Sequence, residues 1–311
     1  MLWDNFVSEA KNSTFLCYRD FMDYHQDRFK DHSLLLYKKE KLVAVFPANE
    51  AENVLHSHQG LTYGGLLFNK DLKLRDVSEC FKILLEHAKE NNFQKVHLKL
   101  LPTMYSPLPT NELQYLLFIL EAKLTRRDAL SVVNMQHRPK ISRDRIAGNK
   151  RAKKHGLVIK EVDTFEAFWN EILIPNLAQK HAAKPVHSLV EIQQLKANFP
   201  KQIRQFNVYK EDTIVAGTTI FDTKYVAHSQ YISGNEDKND LGSLDFLHLF
   251  LLNEVFADKM YFDFGISNEN QGKNINTGLN YWKEGFGART ITQDFYEIDV
   301  KQSHKLDTIF I

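Results

Sequence analysis

The sequence predicts an α+β fold in which one plan is used twice, and three observations carry that prediction. Residues 37–59 match residues 209–231 without a gap. Each copy is followed by an amphipathic helical pattern and then a short strand pattern. At 311 residues the chain is long for one domain and comfortable for two.

The two copies read YKKEKLVAVFPANEAENVLHSHQ and YKEDTIVAGTTIFDTKYVAHSQY, with identities at Tyr37/Tyr209, Lys38/Lys210, Val43/Val215, Ala44/Ala216, Val54/Val226, His56/His228 and Ser57/Ser229. Short apolar or alternating runs separated by polar turn residues read as strand, turn, strand, turn, strand. Helical patterns over 76–90 and 243–256 follow, and then the strands KVHLKL from Lys95 and KMYFDF from Lys259. The shared order of elements carries more weight than the identities. It places a first domain at 1–137 and a second at 138–311, each a mixed, mostly antiparallel sheet flanked by helices.

Apolar residues at 43% and charged residues at 25% are ordinary globular values, so the whole chain is expected to fold. A net charge of +1 excludes a binder of nucleic acid over its whole surface, and any polyanion site must be local. Cys17 and Cys80 form no C-x-x-C pair, the N-terminus lacks a basic flank before an apolar stretch, and no apolar run approaches the length of a membrane span. These features point to a reducing, cytoplasmic setting with no integral membrane segment.

One local polyanion site is suggested by residues 138–154, RPKISRDRIAGNKRAKK, with eight Lys or Arg against the single acid Asp144. A helix here would be cationic over most of its circumference. It is either a solvated face or a cradle, through Lys150, Arg151 and Lys154, for the phosphates of a substrate carried on a nucleotide, a lipid or a tRNA end.

At the other end of the second copy, YFDFG is followed by GLNYWKEGFGAR. This arrangement resembles the second half of a GNAT-type acyltransferase domain, with Tyr281 and Gly285-Phe286 at the matching positions. Two such domains in tandem, with a Lys/Arg-rich helix opening the second, resemble the FemABX family of cell-wall peptidyltransferases. The matching pieces are NKRAKKHG from Asn149, YFDFG from Tyr261 and WKEGFG from Trp282, with Trp282 standing where the family has Phe. The FGISNENQG stretch is also similar to FemAB-related enzymes of surface polysaccharide assembly. The resemblance implies two tandem GNAT-like domains and an acyltransferase without metal or covalent nucleophile. In that chemistry an amine attacks a held acyl group directly, beside a splayed sheet whose main-chain N–H groups meet the oxyanion.

Such a reaction needs one or two titratable groups. Tyr281 matches the family tyrosine and is the expected acid, though an aromatic anchor would suit the position equally. Asp263, in an otherwise aromatic strand, and His228 are the expected bases; His228 recurs as His56, which also fits a shared structural role. Lys283 matches the Fem lysine, whose implied partner is a substrate phosphate or a tRNA end. The amides Asn268, Gln271 and Asn276 suit the hydroxyls and amides of a sugar or peptide, or simply build a turn-rich loop. His56 and His58 lie two apart on one strand with no third residue spaced to complete a metal site.

The expected main activity is N-acyl transfer from acyl-CoA to an amine of a nucleotide- or lipid-linked sugar or related cell-envelope precursor. Against it, the junction GNEDKNDLGSLDFL from Gly234 has four acids and a late glycine where a pyrophosphate cradle belongs. The alternatives are transfer from an aminoacyl-tRNA to a peptidoglycan precursor, as in the Fem family, or a binding protein whose donor sites are lost.

Overall fold

The computed structural model describes residues 2–181 and 183–311. In chain order the elements begin with α1 (Leu2–Glu9), α2 (Arg19–Met22), β1 (Lys30–Asp31), β2 (Leu34–Lys38), β3 (Lys41–Phe46), β4 (Asn49–Ala51), β5 (Val54–His56) and β6 (Leu67–Phe68). Next come α3 (Leu74–Glu90), β7 (Lys95–Lys99), α4 (Glu112–Ile119), β8 (Lys123–Asn134), α5 (Arg143–Lys154), β9 (Leu157–Val162), α6 (Ile174–His181) and α7 (Leu189–Asn198). The chain continues through β10 (Ile203–Lys210), β11 (Thr213–Asp222), β12 (Val226–Gly234), α8 (Lys238–Leu241), α9 (Ser243–Phe250) and β13 (Tyr261–Ile266). It closes with β14 (Asn268–Glu269), β15 (Asn274–Ile275), α10 (Thr277–Glu284) and β16 (Arg289–Asp299). This is an α+β fold of mixed, largely antiparallel sheets flanked by helices. Among the described residues no helix is long and apolar enough to cross a membrane.

Two compact units divide the chain: Met1–Asp128 with Asn270–Lys273 and Thr292–Ile311, and Ala129–Glu269 with Asn274–Ile291. The sequence places the boundary at 137/138 and the C-terminus with the second copy. The last twenty residues instead belong with the first unit, because Phe295–Asp299 of β16 pairs antiparallel with β7.

In the first unit, β2, β3 and β6 form one sheet, and β1, β4, β5, β7 and β16 lie in order in another. Helix α3 begins where the Asp76 carboxylate accepts from the Lys73 N–H, and its apolar stripe of Val77, Phe81, Leu84, Leu85 and Ala88 is buried. In the second unit the order is β8, β13, β12, β11, β10, β9, over a core that includes Val208, Ile220, Leu247, Phe262 and Phe286.

The internal repeat is visible in backbone detail. Lys39 and Glu211, matched in sequence, both take a left-handed conformation in the hairpin turn (φ 56° and 54°). A register shift precedes each turn, between Leu36 and Tyr37 and between Val208 and Tyr209. Val54–His56 then pairs parallel with Lys95–His97, as Val226–His228 does with Tyr261–Asp263. This register makes Lys95 equivalent to Tyr261, two residues beyond Lys259, and His97 equivalent to Asp263. The copies differ at Pro47-Ala48, where the first breaks into β3 and β4. The second runs through as β11 with only a register shift between Thr219 and Ile220, because Pro47 has no N–H to give the ladder.

Helices α5 and α9 approach each other through glycine. A Cβ on Gly148 would fall inside the Asp245 carboxylate, and one on Gly242, left-handed at φ 69°, would fall on the Gly148 carbonyl. Replacing a mid-helix glycine by alanine ordinarily gains about 1 kcal/mol. Here overpacking wins: Gly148→Ala should lower stability by ~1–3 kcal/mol in urea denaturation. A stabilised variant would mean that α5 and α9 do not meet this closely.

Candidate active site

The second unit opens its sheet at one place. β12 pairs with β13 only from Val226 to His228, while β12 runs on to Gly234. At that point β13 changes register against β8, between Asp263 and Ile266, where Gly265 turns left-handed (φ 70°). Residue 230 is the extra residue where β12 slips against β11, so the strand beyond His228 bends as it leaves its neighbour.

Asp263 and His228 are brought together at this opening. Asp263, 1% exposed, accepts from the Gly265 N–H (2.7 Å) through Oδ1 and contacts His228 Nδ1 (2.8 Å) through Oδ2. A buried carboxylate must be paired in this way, and the pairing fixes the imidazole with its proton on Nδ1. The His228 side chain retains 14% exposure. The two expected bases are therefore hydrogen-bonded to each other, with the carboxylate behind the imidazole.

Lys283 completes the cluster. It is 2% exposed, and its ammonium donates to the carbonyls of Gly265 (3.1 Å) and Ile266 (2.6 Å). Burial pushes its pKa down to about 8, against the upward pull of Asp263.

Helix α10 aims Lys283 because three consecutive side chains leave it in three directions. Asn276 caps the helix, its side chain accepting from Leu279 N–H. Tyr281 is 59% exposed and donates its hydroxyl to Asp144 on α5 (2.8 Å), which raises the phenol pKa. Trp282 packs edge-on against His248, Phe264 and Phe286 and donates Nε1–H to Asp245 (2.9 Å). Asp245 also accepts from Arg145 (2.7 Å), and burial raises its pKa despite that cation. In the sequence Asp245 is only one acid of a poor phosphate loop; its place as the anchor joining α5, α9 and α10 needs contacts far apart in the chain.

The remaining expected residues lie elsewhere. Lys150 and Lys154 are exposed on α5, as is Arg151, which donates to the Asn239 carbonyl (3.0 Å). The loop amides are bonded within the protein. Asn268 accepts from Ala129 N–H (2.7 Å), Gln271 from Arg126 (3.2 Å), and Asn276 both caps α10 and donates to Glu269 (3.1 Å). Cys17 and Cys80 are buried, which pushes both thiols up to about 11 and suits neither to thiolate chemistry.

No protein-family model and no curated protein matches the sequence. Solved structures do match the fold. FemX aligns at TM-score 0.64 and 10% identity, covering 94% of each chain. L-PGS from Bacillus licheniformis aligns at 0.61 and 12%, covering 95% of this chain and 90% of its own. A C-terminal domain provisionally assigned to a lysylphosphatidylglycerol synthetase from Agrobacterium fabrum aligns at 0.62 and 12%, covering 98% and 95%. The chain shares the fold of these solved structures.

The expectation of an acyl-CoA donor is corrected by these likenesses, which fall on FemX and lysylphosphatidylglycerol synthetases; the Fem family was the resemblance that implied an aminoacyl-tRNA donor. The geometry supplies a reason. A pyrophosphate would need the N-terminus of α9, and that end is closed by Gly148 of α5 and carries the buried Asp245.

Lys283 also gives a stability test. Its folded pKa of about 8 lies below the ordinary 10.5, so the unfolded chain holds this proton more tightly. The ionised group costs stability below pH 8, and that cost fades as pH rises from about 8 to about 10.5. Wild type should therefore gain thermal stability relative to Lys283→Met across that window, while Lys99, present in both proteins, cancels. Parallel Tm–pH curves would show that the ammonium is not buried.

Proposed function

We propose that the protein is an aminoacyltransferase of the Fem type, moving an aminoacyl group from an aminoacyl-tRNA to an amine of a peptidoglycan precursor or related cell-envelope acceptor. The observation that carries this reading is the Asp263–His228 pair at the opening between β12 and β13, with the Lys283 ammonium beside it.

In this mechanism the acceptor amine gives a proton to His228 Nε2 and attacks the ester carbonyl. Asp263 holds the imidazole in the tautomer that leaves Nε2 free and stabilises the imidazolium. The tetrahedral oxyanion meets main-chain N–H groups of the parted strand and the Lys283 charge. The attack forms the C–N bond; collapse of the tetrahedral intermediate re-forms the carbonyl, breaks the ester C–O bond, and passes the proton from His228 to the leaving 3′-oxygen of the tRNA. Tyr281, exposed and bonded to Asp144, serves at the edge of the site as a secondary proton donor or an orienting group.

The exposed cations of α5 support a polyanionic donor. Lys150 and Lys154 stand opposite the buried Gly148 and Ala152, and Arg151 flanks them. Replacing Lys150, Arg151 and Lys154 together with Gln should weaken tRNA binding several-fold and flatten its salt dependence by about 0.7–0.9 log units per lost phosphate contact. An unchanged slope would make this a solvated face.

Transfer from labelled charged tRNAs, with an amine-bearing peptidoglycan precursor and with phosphatidylglycerol vesicles as separate acceptors, tests the reaction. His228→Ala should lower turnover by about 10²–10⁴-fold with tRNA binding unchanged. Asp263→Asn should also lower turnover, because the amide no longer fixes the tautomer. Transfer to the vesicles alone would move the acceptor to a lipid hydroxyl. No transfer from any charged tRNA, or full activity in both variants, would end the reading.

A further inference from the structure

Outside the candidate active site, two imidazoles converge in the first unit. His32 follows β1 and His87 lies in the last turn of α3, 55 residues away, yet their Nε2 atoms are 3.0 Å apart. With ring centroids at 5.3 Å, the rings meet nearly end to end. One nitrogen must carry a proton and the other a lone pair.

The surroundings say which. His32 Nδ1 contacts the Glu50 carboxylate (2.7 Å), itself paired with Lys30, and the edge of Phe93 packs against the ring (5.0 Å, 87°). A carboxylate accepting a hydrogen bond from Nδ1–H leaves Nε2 with an outward lone pair, the arrangement by which an outer carboxylate orients a metal-ligating histidine. Glu90, exposed, lies one helical turn beyond His87 and so on the same face of α3.

We propose that His32, His87 and Glu90 form a site for one divalent transition-metal ion of the Zn²⁺ class, with Glu50 orienting His32 from behind. Two nitrogens on a tetrahedral zinc are about 3.3 Å apart, so the rings need part by only ~0.3 Å and tilt. His87 moves its proton from Nε2 to Nδ1, Glu90 swings in through a new rotamer, and water takes the remaining position. As the side chains stand, no three His, Cys, Asp or Glu groups among the described residues are placed to hold a metal ion together, so binding itself gathers the third ligand. The bound ion would tie the end of α3 to the β1–β4 edge. Spacing in the sequence gives no hint of this set, since the histidines come from different elements.

The test is titration of the purified full-length protein with Zn²⁺ by calorimetry and with Co²⁺ by visible absorption. One equivalent should bind, the Co²⁺ bands should report tetrahedral nitrogen and oxygen ligation, and Zn²⁺ should raise the wild-type Tm. His32→Ala and His87→Ala should each weaken binding by at least 10-fold and abolish the Tm rise. Glu50→Gln should weaken it by roughly 10–100-fold. Glu90→Gln, at an exposed position that cannot disturb folding, should weaken it measurably, and His56→Ala should leave it unchanged. No saturable binding by wild type, or binding indifferent to the His32, His87 and Glu90 substitutions, would reduce the contact to a shared-proton pair and overturn the proposal.

Discussion

The candidate site depends on where β12 stops pairing with β13. Three residue pairs of parallel ladder end at His228 and Asp263, and the left-handed Gly265 turns the next carbonyls away from the sheet. Burying Asp263 at that end requires partners for both of its oxygens, and the Gly265 N–H and His228 supply them. The turned carbonyls of Gly265 and Ile266 in turn hold the Lys283 ammonium where water cannot. Imidazole, carboxylate and ammonium are thus fixed by one break in one ladder. A charged group held by main-chain dipoles keeps its orientation without reorganisation, which is what an acyl-transfer site requires of its electrostatics.

A second constraint is the close approach of α5 and α9 through Gly148 and Gly242. It turns the buried face of α5 inward through Gly148 and Ala152 and leaves Arg143, Lys150, Lys153 and Lys154 exposed. It also covers the helix terminus that a pyrophosphate would otherwise occupy. One packing contact therefore both closes the α9 terminus to a small anion and leaves the cations of α5 exposed.

The two copies of the strand plan keep their backbone and differ in their chemistry. His56 occupies the place of His228, but its neighbour across the parallel ladder is His97, which meets it edge to face at 4.9 Å. Burial, His97 and Lys99 push the His56 pKa down to about 4. The carboxylate of the second copy is missing there; Glu297 bonds His97 from the opposite side (3.1 Å). Lys99 also holds two carbonyls, those of Gln59 and Leu61, but from the strand itself rather than from a following helix. The same short parallel ladder thus carries a pair of histidines in one unit and a histidine–carboxylate pair in the other.

Much of the fold was legible because it follows local periodicity. Alternation marked the strands, the 3.6-residue period marked α3, and the 172-residue repeat placed Tyr37 and Tyr209 at equivalent turns. The residue types Asp263, His228 and Lys283 could be picked out by chemistry. Their association could not, because Asp263 and His228 are 35 residues apart and a parallel register has no turn to fix it. The two strand patterns, read from Lys95 and from Lys259, did not show that Lys95 and Tyr261 are the equivalent positions; only the ladders do. The rotation of α10, which sends Tyr281 to Asp144 and Lys283 to the sheet, is set by the Trp282 and Asp245 contacts. The sequence by itself determined which strands, helices and reactive side chains exist. Only the tertiary structure decided which of them meet, because pairing register and helix rotation are settled by packing among residues far apart in the chain.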